Sequence, residues 1–405
     1  MIIKVRNTRE LVVGLLGIFG ELPKPKNIHE MFSTDYDIKK ATLSKEVSLL
    51  KKRDIVSARK GFDGIRLKAP EGLVRLGVIS EPLYLHYMVL SNGHKNRTGR
   101  GLRDLTKRNR DSALFAYRAG AYVDNLRLSY VNTRHTLLKT NAREEDISSS
   151  HPDKYFERDG RPASLAELTH TLPAGEKFFY SSRIVKDILN DSGTRRIMLS
   201  KANGILCANG NTYSVYYVQE GTAAYSKTHE EQMRYLLREI HRNAYGKESE
   251  KYSDDVHPNG HAIFIAEDID FIPELIHPKK RKYLTPGAVY GDYYILPSDE
   301  RGRYVLNILS TERWEIKILD ALYYDDELTL SRLSDGQING VPSWEFMTCN
   351  FKKAEYILRN GSRHIHLICY PWQQKILEAM FPDYQIDFMI MGEKEQRELE
   401  NAICR

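Results

Sequence analysis

The sequence predicts a multidomain α+β protein, with a small N-terminal module ahead of a larger α/β or α+β domain. Three observations predict it. The chain has 405 residues, too many for one small module. Residues 1–80 order three helical patterns ahead of two short strand patterns, whereas residues 343–391 alternate strand and helix. Charge is divided as well: residues 1–110 hold 23 Lys and Arg against 11 Asp and Glu, and the rest of the chain is net acidic. A basic N-terminal part of this kind suits a polyanion.

Composition excludes several classes. The hydrophobic fraction of 41% and charged fraction of 28% are those of an ordinary globular chain. Cys207, Cys349, Cys369 and Cys404 are scattered without a C-x-x-C pair. That argues against a zinc ribbon or a disulfide scaffold and fits a reducing, cytoplasmic setting. No apolar stretch approaches the ~18 residues a membrane helix needs, and the N-terminus lacks a signal-peptide pattern. No membrane partner is expected.

In chain order, TRELVVGLLGIF (8–19) has helical spacing at Leu11, Leu15, Ile18 and Phe19, with Thr8 as N-cap. GELPKPK breaks it, and NIHEMF (27–32) forms a short helix capped by Asn27. The next helix places Ile38, Ala41, Leu43, Val47 and Leu50 largely on one face. Lys39, Lys40, Ser44, Lys45, Ser48, Lys51 and Lys52 occupy the others. IVSAR (55–59) and IRLKAP (65–70) are strands joined by a glycine-flanked turn, and Pro70 opens another helix.

Three helices followed by a hairpin, with the pattern L-x-x-R-x-I-V … G-x-x-G-I-R-L, resemble the winged helix-turn-helix superfamily over residues 6–78. The resemblance implies that the helix from Lys39 to Lys52 enters the major groove, with Lys45 and Ser48 closest to base edges. It also implies that the hairpin, with Arg59, Lys60 and Arg66, grips phosphate or the minor groove. One such module buries only ~600–1,000 Å², so a homodimer on a repeated half-site is expected.

A second basic element covers residues 94–118, a loop that turns helical near Leu102. Lys95, Arg97, Arg100, Arg103, Lys107, Arg108 and Arg110 make it a phosphate clamp that extends the footprint. The expected organisation is a DNA-binding module at 1–80, a basic helical extension at 81–140, a polar linker at 141–163 and the larger domain at 164–405.

In that domain, Asn209-Gly210-Asn211 signals a hairpin between two apolar strands. A helix over 227–241 buries Met233, Leu236, Leu237 and Ile240, and HAIFIA (261–266) is a buried strand. Residues 343–391 read as βαβαβ, implying a partly parallel sheet.

Candidates for chemistry are few. Glu267, Asp268 and Asp270 follow a strand end, where carboxylates hold Mg²⁺ in some hydrolases, although such acids are more often caps. Glu220, near Lys201 and Lys227, gives about 60 residues a faint resemblance to a restriction-nuclease-like core. The carboxylate-x-lysine signature is missing, because Gly221 and Thr222 follow Glu220. His364 and His366 share a strand face near Cys369, with no further ligand apparent. Ser200, Asn203, Ser181, Ser182 and the YYDD of 323–326 lack a base partner or a confirming context.

The favoured reading is a sequence-specific double-stranded DNA-binding protein, without cofactor, whose C-terminal domain dimerises or recruits. Its order of parts resembles the replication-relaxation type of plasmid and mobile-element proteins, which implies a role in transcription or in mobile-element replication and transfer. The alternatives are a Mg²⁺-dependent DNA nuclease and a protein adaptor that binds no DNA.

Overall fold

In the computed structural model, helix α1 (Thr8–Phe19) starts one residue earlier than expected. Asn7 is its N-cap and accepts from the Glu10 amide, while Thr8 is the first helical residue. The structure describes residues 1–58, 64–92, 100–131, 175–185, 200–219, 227–245, 261–276, 286–323, 334–359 and 362–403. They fall in two compact units, Met1–Leu168 with Phe178–Ser192, and Thr169–Lys177 with Gly193–Arg405. The expected linker at 141–163 lies outside the described residues. The fold is α+β throughout, and among the described residues no helix is long and apolar enough to cross a membrane.

In the first unit, β1 (Ile2–Val5) precedes α1, and β2 (Leu22–Pro23) follows it. Then come α2 (Pro25–Tyr36), α3 (Lys40–Lys52), β3 (Val56–Ala58) and β4 (Gly64–Leu67). The second helix is longer than NIHEMF and is not capped by Asn27. Pro25 occupies its first turn, with Lys24 at the cap position. The fixed φ of proline suits a helix start, so the stretch taken as a breaker opens the helix instead. β4 is the centre of a three-stranded antiparallel sheet, with β2 on one side and β3 on the other.

Helices α4 (Glu71–Ile79), α5 (Glu81–Asn92) and α6 (Arg100–Arg118) follow. α1 is buried along most of its length and packs against α3, α4 and α5. β5 (Tyr122–Val123) and β6 (Arg127–Tyr130) are linked by Asp124 and Asn125, both at positive φ, in a two-residue turn. β6 pairs in parallel with β1, and β5 pairs in parallel with β7 (Lys177–Ser181) at Phe178 and Phe179.

A buried polar clasp joins these parts. His86 on α5 places Nδ1 3.1 Å from the Gly17 carbonyl and Nε2 3.0 Å from Asp124 Oδ2. Asp124 Oδ1 accepts from the Ser181 amide at 2.7 Å. One imidazole thus ties α5 to the end of α1, to the β5–β6 turn and to β7. Replacing His86 with alanine leaves a buried carboxylate short of its partner. It is expected to cost about 3–5 kcal/mol, read by urea unfolding.

The second unit uses one plan twice. β8 (Gly204–Ala208) and β9 (Asn211–Val218) form an antiparallel hairpin closed by Asn209-Gly210, both at positive φ. β10 (His261–Ala266) and β11 (Asp292–Pro297) then add in parallel, after α7 (Lys227–Tyr245) and α8 (Ile272–Ile276) respectively. Helices α9 (Glu300–Leu309) and α10 (Trp314–Tyr323) lead to the second sheet. There β12 (Gly336–Ile338) and β13 (Val341–Glu345) form a hairpin closed by Asn339-Gly340, again at positive φ. β14 (His364–Cys369) and β15 (Gln385–Ile390) add in parallel after α11 (Lys352–Arg359) and α12 (Pro371–Met380). α13 (Glu393–Ile403) follows.

Type I′ turns match the strand twist, and Asn-Gly tolerates their positive φ, which is why both hairpins close with the same dipeptide. The two sheets meet where residues 349–351 run along β11. The Ile295 amide donates to the Cys349 carbonyl at 3.0 Å, and the Phe351 amide to the Tyr293 carbonyl at 3.1 Å.

Candidate functional site

The features of α3 follow from its packing. Leu43, Glu46, Val47 and Leu50 are buried and face α1 and α2. At 3.6 residues per turn, Lys40, Ser44, Lys45, Ser48, Lys51 and Lys52 span an arc of about 140°, with exposed Ala41 among them. All six are exposed, as are Lys39 before the helix and Arg53 after it. Glu46 is the one acidic residue from 39 to 53, and it is turned inward. Arg9 of α1 donates to Glu46 Oε2 from Nε at 3.1 Å and from Nη2 at 2.9 Å. The outward face of α3 therefore carries cationic, hydroxyl and methyl groups only.

Arg66 is exposed on the central strand β4. Arg59, Lys60, Lys95 and Arg97 lie outside the described residues, and of Arg100 and Arg103 only the helical backbone is described. Lys107 and Arg108 are half-buried on α6.

Arg110 is not a phosphate clamp. Its guanidinium is buried, 2.8 Å from Asp111 Oδ1 and 3.4 Å from Glu21 Oε1. A Cβ added at Gly64 would run into that same Glu21 carboxylate, so a larger residue at the start of β4 would have to displace it. Arg118 is half-buried and forms two hydrogen bonds with Asp35 at the surface. Composition marks a basic helix, but which arginines find an acid depends on residues 83–89 positions away.

In the second unit, Glu267, Asp268 and Asp270 are exposed. Asp268 caps a short 3₁₀ turn by accepting from the Asp270 amide at 2.9 Å. Glu220 lies outside the described residues. Ser200 donates to the buried Glu230 at 2.7 Å, and Asn203 accepts from the Tyr217 amide at 2.6 Å, so both support the fold. Ser181 donates its amide to Asp124, and Ser182 is buried beside it in the chain. Of YYDD, Tyr323 is buried and hydrogen-bonds Ser343, while 324–326 lie outside the described residues.

His364 and His366 do share a face of β14, and their neighbour is Asp387 on β15, in register with His366. Its Oδ2 is 2.7 Å from His364 Nε2 and 3.6 Å from His366 Nε2. Cys369 falls on the opposite face by strand alternation and is buried. Among the described residues, no three His, Cys, Asp or Glu side chains form a group that holds a metal ion.

A denser cluster escaped notice in the sequence because four separate elements and one preceding loop build it. Lys353, at the start of α11, reaches Asp335 Oδ2 at 2.7 Å, the Glu345 carboxylate, and the Glu345 carbonyl at 3.2 Å. Burial lowers the Lys353 ammonium, but Asp335 and Glu345 outweigh it and hold it above the ordinary lysine range. Burial pushes Asp335 up against the opposing pull of Lys353. Asp292, the first residue of β11, accepts from Asn350 at 3.1 Å.

Glu315, in the first turn of α10, is pushed up to about 7 by burial and then by Asp292, with Glu345 and Asp335 adding and Lys353 opposing. An acid raised on folding binds its proton more tightly in the folded state. Its contribution to stability is therefore full below the unfolded value and is lost as pH rises through about 7. Glu315→Gln is expected to remove that loss and to raise the thermal midpoint above pH 7, with little change in mild acid. Calorimetry across this range checks it.

No protein-family model matches the chain, and no curated protein or solved structure matches it.

Proposed function

We propose that the protein is a sequence-specific double-stranded DNA-binding protein that lays α3 in the major groove. The observation that carries this reading is the outward face of α3, where Lys40, Lys45, Lys51 and Lys52 stand exposed and the one carboxylate is withdrawn. Phosphate contacts by such residues release counterions and supply affinity. Ser44, Lys45 and Ser48, on the same arc, supply base-edge contacts. The order helix–strand–helix–helix–strand–strand, with β4 between β2 and β3, supports a winged-helix reading of this unit. It sets Arg66 on the sheet that ends in the wing, where winged modules touch the backbone. One module gives a small footprint, so the protein acts as a homodimer on paired half-sites.

The test is recovery of random duplex fragments by the full chain, followed by sequencing. The reading expects one enriched, symmetric motif. Lys45→Glu with Lys52→Glu, both at exposed positions, lowers affinity for that motif by roughly 10- to 100-fold while leaving the thermal midpoint unchanged. Equal recovery by the double variant would defeat the reading.

A further inference from the structure

We propose that the open edge of β15 pairs with β15 of a second copy of the chain, antiparallel, about a two-fold axis at Phe388. The inference names a surface for self-association and does not rest on the DNA-binding reading.

The sheet sets this edge. β15 ends the strand order β12–β13–β14–β15. The Gln385 amide donates to the Arg363 carbonyl at 2.8 Å, and the Met391 amide to the Cys369 carbonyl at 2.9 Å. Residues 385, 387, 389 and 391 therefore bond β14. By alternation, the amides and carbonyls of Ile386, Phe388 and Ile390 point away from it. Among the described residues, nothing pairs with β15 on that side. The other six-residue edge strand, β11, has residues 349–351 along it. The remaining edge strands are two to four residues long.

Open edges are usually blunted by charge, by proline or by shortness. β15 holds no proline, and its one charged side chain is Asp387. That carboxylate lies 2.7 Å from His364 Nε2 and so leans toward β14, away from the open edge. Apolar groups take its place. Met389 is 45% and Ile390 37% exposed, and Ile386 and Phe388 are half-buried.

Two features favour a second copy over a strand of other sequence. The first is hydrogen bonding. An axis at Phe388 sets Phe388 against its own counterpart and Ile386 against Ile390 of the second copy. The three outward residues then fall in hydrogen-bonded pairs with one another, and each pair exchanges two main-chain bonds. Their side chains share one face and are all apolar, as stabilising cross-strand pairs are. The second feature is charge. On the opposite face, this register sets Asp387 against Met389 of the second copy. Moving the axis by one residue to Asp387 would set two carboxylates directly opposite, which is destabilising. Moving it to Met389 would pair Ile386 with Gly392, beyond the end of the strand. The Phe388 axis alone avoids both.

The test is sedimentation velocity of the full chain without DNA, from about 1 to 100 µM, with residue-resolved amide hydrogen exchange. Wild type is expected to reach twice the chain mass as concentration rises. The Ile386, Phe388 and Ile390 amides become protected in step. Met389→Asp sets carboxylates of the two chains opposite and is expected to weaken association about tenfold or more. Met389→Lys, at the same exposed position, meets Asp387 of the second copy and is expected to hold or strengthen the dimer. Ile390→Pro removes an outward amide that β14 does not use, and is expected to weaken the dimer similarly. Circular dichroism checks that each variant folds. A monomer at every concentration would overturn the proposal, as would a dimer that Met389→Asp and Ile390→Pro leave unchanged. Outward amides already protected in the dilute monomer would show that the chain itself covers the edge, and would overturn it too. No DNA is present, so failure here is distinct from failure of the DNA-binding reading.

Discussion

The first unit depends on which way α3 faces. Leu43, Val47 and Leu50 are buried, and each contributes roughly 1.5–3 kcal/mol through apolar area removed from water. That burial sets the rotation of the helix. The Arg9–Glu46 pair then settles the charge of the two faces, because it holds the one acid of the segment against α1. Rotate α3 by half a turn and four lysines would be driven into an apolar core while Glu46 met solvent. The energetic asymmetry between those arrangements is what makes the cationic face a fixed property of the fold. Charge is spent in a similar way on α6, where buried Arg110 neutralises Glu21 and half-buried Arg118 pairs with Asp35. The basic charge of the N-terminal part is thus divided between holding the unit together and displaying a surface.

The second unit solves a different problem. Two sets of four strands follow one plan, a hairpin extended by two parallel strands, and they meet along β11 through residues 349–351. The polar residues of the cluster come from β11, α10, β13 and α11, with Asp335 just before β12, so they gather where those sheets meet. Burying carboxylates together is costly, and Lys353 offsets part of that cost. The residual imbalance shows in Glu315, whose carboxyl is pushed up to about 7 by burial and by Asp292.

Local signals were legible in the sequence. The Leu43–Val47–Leu50 stripe on α3, the Asn209-Gly210 turn, the apolar face of α7 and the βαβαβ rhythm of 343–391 each depend on neighbours within a few residues, and each appears in the structure, although Ala41, expected in that stripe, is exposed among the lysines and Ile38 precedes the helix. Asn339-Gly340 carries the same dipeptide signal and marks the second hairpin. What was not legible is non-local. β1 finds β6 about 125 residues along the chain. β2 is two residues long and includes a proline, so no alternation betrays it. Asp387 becomes the neighbour of His364 and His366 only through the β14–β15 register. Arg110 reads as one more cation in a basic run, and only the position of Glu21 turns it inward.

The central claim is that the outward face of α3 binds DNA through its charges, and the salt dependence of duplex affinity tests it most directly. The logarithm of the association constant for an enriched duplex, plotted against that of the salt concentration, should fall with a slope of magnitude about 4–6. Replacing one of Lys40, Lys51 or Lys52 with alanine should reduce that slope by about one. A slope near zero, or one that none of these substitutions changes, would contradict the account.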